Sequence, residues 1–149
     1  MFKMSGRVAV LGFAAMCVSS LAAAEQPPST GLGEAWPATT DVSQNPHYHV
    51  YLFVRDGIRY FQVNELNGTV DAAVAAVNGT ILPLPIGRTA DQVKVVRTGT
   101  PSAQNANGAS PSQTVYRDAA TTIPTTPLAN GTSQVAVAET CTDPDRCSG

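Results

Sequence analysis

The sequence predicts a mainly β protein, a small four-stranded antiparallel meander over about residues 45–97 with long flexible flanks. Three observations carry that expectation. Asp56-Gly57, Asn67-Gly68 and Asn78-Gly79 recur at regular spacing, each flanked by apolar runs. Between them the apolar residues alternate with period two, not with the 3.6-residue period of a helix. The alternating residues are rich in the β-branched and aromatic types that suit a pleated surface.

The elements follow in chain order. Residues 1–24 read as a secretory signal peptide: Lys3 and Arg7 form a positive start, Val8 to Val18 an apolar stretch, and Ala22-Ala23-Ala24 a small-residue exit. That stretch is shorter than the roughly 20 apolar residues a bilayer span needs, and the mature chain holds no other candidate span. Residues 25–45, punctuated by Pro, Ser, Thr and Gly around Trp36, read as a flexible arm.

Residues 46–97 read as the folded domain, with strands at 47–55, 58–66, 69–77 and 80–86 joined by two-residue turns. Type I′ turns need positive φ at both central residues, which Asn, Asp and Gly adopt at little cost. A two-residue turn at Asn78-Gly79 pairs Val77 with Thr80 and Ala75 with Leu82, so residues 83 and 85 turn their amide side outward. Both positions are proline, which a sheet accepts at an edge with the missing donor facing out. Turn and prolines agree, and strand four becomes an edge. The DQVKVVR stretch at 91–97 is expected, if it joins the sheet, to use the free edge of strand one.

The same register sorts the faces. Val50, Leu52, Val54, Phe61, Val63, Val70, Val74 and Ile81 share one side, with Arg59 at its rim. Tyr51, Phe53, Ile58, Tyr60, Ala73, Ala75, Leu82 and Leu84 share the other, with Gln62 among them. The valine side is the expected dry core, covered by the arm around Trp36 or by VYRD. An antiparallel sheet usually keeps one face wet. Two apolar faces mean that something must cover the second.

Residues 98–149 read as a low-complexity Ala/Thr/Pro/Ser tail in which only 114–117 and 134–139 have strand character. The tail ends in Cys141 and Cys147, an even pair that reads as a small disulfide loop in an exported chain. Closing so short a loop is worth about 2 kcal/mol in the chain-entropy model.

For chemistry the sequence offers little. Two histidines two apart on a strand, His47 and His49, put their Cβ atoms roughly 7 Å apart. In the expected register His49, Asn64 and Asp71 form a row, so His47, His49 and Asp71 are a possible three-ligand metal set. The plainer reading is the solvent-facing start of a strand opened by Pro46. No catalytic residue is expected, because the domain contains no nucleophile elbow and no phosphate-cradling loop. Three Asn-Gly-Thr triplets, at 67, 78 and 130, match glycosylation sequons.

Removal of the signal peptide leaves seven Lys and Arg against eleven Asp and Glu, net −4. Nucleic acid is not an expected partner, since that affinity rests on cations displacing counterions. The expectation is an exported, non-catalytic protein-binding or envelope-assembly module, periplasmic or secreted, of a Gram-negative bacterium. It has no cofactor. Its binding face is Tyr51, Phe53, Tyr60, Gln62, Leu82 and Leu84, and its partner another protein or a second copy. The alternative is a periplasmic metal-binding protein using His47, His49 and Asp71.

Overall fold

The computed structural model describes residues 30–97 and 110–139; the signal peptide and the Cys141/Cys147 pair lie outside them. Four strands follow the hairpin signals closely: β1 (Tyr48–Arg55), β2 (Ile58–Glu65), β3 (Val70–Val77) and β4 (Thr80–Leu84). They form one antiparallel sheet in chain order. Asp56 and Gly57 have φ of 52° and 78°, and Asn78 and Gly79 have 48° and 78°, as a type I′ turn requires. Phe53 pairs with Tyr60, Val77 with Thr80 and Ala75 with Leu82, the expected register.

The middle hairpin differs. Only Gly68 is left-handed there, at φ 87°. Its amide donates to the Glu65 carbonyl, and the Asn67 side chain accepts the Thr69 amide. The longer loop shifts the register after Val63–Ala72, so Asn64 pairs with Val70 and Asp71 becomes the extra residue of a bulge. The expected row of His49, Asn64 and Asp71 is therefore broken at its last member.

A larger correction concerns the tail. Gln113–Arg117, Thr121–Pro127 and Ser133–Glu139 are strands β6, β7 and β8. With β5 (Lys94–Arg97) they build a second four-stranded sheet in the order β5-β8-β7-β6. The strand character at 114–117 and 134–139 is realised, whereas the TTIPTTP stretch, expected to be flexible from its low-complexity composition, is a strand as well. Thr121, Ile123 and Thr125 are buried against the valine face and the residues between them are half-exposed. The β7–β8 ladder skips Ile123 and Pro124, where proline has no amide hydrogen to give. Nor does β5 reach β1. It runs parallel to β8, Val95 beside Val137, because the arm has taken the β1 edge through Asp41 and Tyr51.

The valine side is the core, as expected, but its cover is the second sheet. Val50, Phe61, Val63, Val74 and Ile81 pack with Val115, Ile123, Val135 and Val137 in one cluster. The VYRD stretch contributes Val115 and Tyr116, whose ring lies 5.0 Å from that of Phe61. The arm around Trp36 lies on the opposite face. Polar ties join the layers. The Tyr48 hydroxyl meets Ser133 at 3.0 Å, and Arg59 donates to Asp118 at 2.7 Å and to Thr121 at 2.8 Å. Burial opposes the Asp118 charge, but the Tyr116 hydroxyl, the Ala120 and Thr121 amides and Arg59 hold its carboxyl below the usual range. Burial and that same carboxylate push the Tyr116 hydroxyl up to about 12.

Ile123 and Phe61 lie on different sheets and are both fully buried. Truncating a buried aliphatic or aromatic costs about 2–5 kcal/mol. Ile123→Ala and Phe61→Ala should each lower stability by that order in urea denaturation followed by circular dichroism. Each should leave a single transition. An Ile123→Ala variant as stable as the parent would mean that the second sheet is not part of the cooperative unit.

Candidate functional site

The outer face of the first sheet carries the residues read as a binding surface. Residues 30–38 cross it as an irregular hairpin, with Thr30 bridged to Ala38 and a tight turn closed by the Glu34 amide on the Gly31 carbonyl. Two buried amides pin it. Gln62 Oε1 accepts the Gly33 amide at 2.6 Å, and Gln62 Nε2 donates to the Glu34 carbonyl and to Asn64 Oδ1. Asn64 Nδ2 donates to the Ala35 carbonyl at 2.9 Å. A buried amide must find partners or lose about 1–3 kcal/mol. These two find them in arm backbone, so the sheet's polar residues and the arm's loop groups satisfy each other.

The consequence divides the expected binding face. Tyr51, Phe53 and Gln62 are buried beneath the chain's own arm and are not open to a partner. Tyr60 and Leu84 stay half-buried, and Leu82 is 51% exposed. Beside them opens a groove of about 360 Å³ lined by Leu32, Phe53, Val54, Arg55 and Tyr60. The part of the sheet itself left open on this face is thus a strip toward β4 and the β1–β2 turn, while Trp36 of the arm is exposed at the other end.

The histidines and Asp71 go separate ways. His49 Nδ1 lies 2.7 Å from Asp41 Oδ2, and Asp41 Oδ1 accepts the Ser43 and Val50 amides. Burial opposes the Asp41 charge, but these hydrogen bonds, that of His49 foremost, hold its carboxyl below the usual range. The His49 ring is stacked against Tyr51 at 5.9 Å and meets the edge of Trp36 at 5.5 Å. His47 is exposed just before β1. Asp71 is fully buried at the bulge, where Oδ1 accepts Arg88 Nε at 3.0 Å. Arg88 also pairs with Glu65 and reaches the Gly131 carbonyl in the β7–β8 turn. Among the described residues no group of three or more His, Cys, Asp or Glu is placed to hold a metal ion.

Asp41 and Arg88 were not singled out in the sequence. No periodic spacing marks either one, because a loop brings Asp41 back along β1, and Arg88 reaches Asp71 only because the chain after β4 returns beside β3. Gly87, at φ 103°, permits that return, since a Cβ there would sit 2.3 Å from the Asp71 carbonyl oxygen. No protein-family model, curated protein or solved structure matches this chain.

Burial raises the Asp71 carboxyl to about 6, with Arg88 pulling the other way and Glu65 adding to the rise. Its Oδ2 has no partner among the described residues. A carboxyl raised in the folded state favours folding when protonated, so its contribution is full below the unfolded value of 3.8 and vanishes above 6. Glu139 shifts in the same direction, while the lowered Asp41 and Asp118 lose their contribution only below 3.8. The folded chain should therefore gain roughly 1 kcal/mol from Asp71 between pH 7 and pH 5. Asp71→Asn should flatten that rise. Thermal melts of both proteins at the two pH values check it, and a parent that melts lower at pH 5 while Asp71→Asn does not would contradict it.

Proposed function

We propose that this chain is an exported, non-catalytic binding or assembly module that holds a protein partner, or a second copy of itself, through the uncovered strip of the first sheet. The observation that carries the reading is Leu82, 51% exposed on a regular strand, with half-buried Tyr60 in the same cross-strand row, half-buried Leu84 in the next, and the Leu32/Val54 groove beside Tyr60. Tyr and aliphatic anchors of this kind dominate binding energies at interfaces. The flanking β4 edge resists indiscriminate strand pairing, because Pro83 and Pro85 withhold donors there.

The non-catalytic part rests on how the polar groups are used. The one His–Asp pair among the described residues anchors the arm, and nearby Ser43 directs its hydroxyl to the Asn45 and Val115 carbonyls. Gln62, Asn64, Arg59 and Asp118 are likewise occupied in joining layers. The metal alternative gains nothing from the geometry, since Asp41 and Arg88 engage two of its three ligands.

A photoreactive residue placed at position 82 of the full chain, in the cells that produce it, should give discrete adducts. The same residue at exposed Asn130 should not. Leu82→Ser with Tyr60→Ser should leave the circular dichroism spectrum unchanged and reduce the adduct formed from a reporter at position 84 by about tenfold, or 1.4 kcal/mol. Adducts no stronger at 82 than at 130 would refute the proposed surface.

A further inference from the structure

Trp36 is the single tryptophan of the chain, and it is placed unlike an anchor. One side of its indole rests on Gly68, where a Cβ would come within 2.9 Å of the ring. Its neighbour His49 meets it at 70° between planes. The ring is thus held in place on one side, and yet 60% of the residue remains exposed. A tryptophan serving only to pin the arm would be turned under it, where Tyr51 and Phe53 already are.

His49 also lines a cleft of about 430 Å³ together with Asp41, Gln44, Asn45 and Leu66, within the size range of small-ligand sites. The polar side chains of that cleft are braced from behind. Asn45 is held on Gln113, Gln44 donates to the Arg117 carbonyl, and His49 is held on Asp41. Gln44 and His49 use one end of the group in this way, whereas Asn45 uses both, its Oδ1 accepting the His47 amide at 2.9 Å. The His49 Nε2 and the Gln44 Oε1 have no partner among the described residues.

We infer that the open face of Trp36 and the adjoining cleft bind a neutral, gluco-configured saccharide ring in β linkage. Such a ring presents one side of axial C–H groups, whose partial positive charge suits the negative face of an indole. Its hydroxyls are equatorial and spread in the ring plane, where planar donors and acceptors such as Gln44 and His49 meet them edge-on. The Asp41 carboxylate disfavours an anionic ligand. Its charge is already shared among His49 and two amides, which leaves little for a cation.

The lone tryptophan makes the test direct. The full chain is titrated with cellotetraose and with chitotetraose while Trp36 emission and acrylamide quenching are followed. The expected result is a saturable blue shift and protection from quencher with at least one of them. Gln44→Ala and His49→Gln, both of which retain the fluorophore, should weaken the response by about tenfold. Calorimetry should show binding lost in Trp36→Ala and partly kept in Trp36→Phe, and Leu82→Ser should bind as the parent does. No saturable change with either tetrasaccharide would overturn the inference, as would undiminished binding in both Gln44→Ala and His49→Gln.

Discussion

The first sheet carries apolar side chains on both faces, and leaving either against water would cost more than so small a domain can lose. Every other feature of the fold answers that demand. The valine face is covered by a second sheet drawn largely from a stretch of Thr, Ala and Pro, the aromatic face by residues 30–38. The covers differ in kind. A sheet supplies a continuous apolar surface, whereas an irregular loop brings unpaired backbone groups with it. Gln62 and Asn64 are the device that makes the loop tolerable, because their amides give its backbone the partners that water would otherwise supply.

The edges are managed with the same chain segment. Residues 41–42 close the β1 edge and residues 43–44 reach the β6 edge, where the Gln44 amide donates to Val115 at 2.8 Å. The arm thus lies across one layer and stitches the rims of two, with Asp41 bonded to both backbone and His49. Arg59 and Arg88 do comparable work farther along. Each sits where a strand or connector of the first sheet approaches a turn of the second: Arg59 pairs with Asp118 of that turn, while Arg88 pairs with Asp71 of the first sheet and donates to the Gly131 carbonyl of the turn.

Covering the aromatic face also shapes what remains available. Among the described residues, 30–38 lie over Tyr51 and Gln62 and leave an open strip at Tyr60, Leu82 and Leu84. At the other end, the same arm leaves Trp36 stacked on Gly68 with one face outward. Both exposed regions border the part of the sheet that residues 30–38 cover. They are separate places on the molecule.

Reading the residues alone located four strands to within two residues, two of the three turns, the outward prolines and the division of faces. These are short-range properties. A type I′ turn is decided by two residues, and the side-chain period of a strand makes its faces legible from alternation. The decisions that escaped are long-range. TTIPTTP became a central strand because a valine face lay open to receive Thr121, Ile123 and Thr125, and its own composition gave no sign of that. The bulge at Asp71 and the pairing of His49 with Asp41 depended on how a loop closed and where the arm landed, so the expected metal row came apart. β5 pairs with β8 rather than β1 because the arm already held the β1 edge. Local propensity is written in neighbouring residues, but which segment covers a face is settled only when all the candidates compete for it in three dimensions.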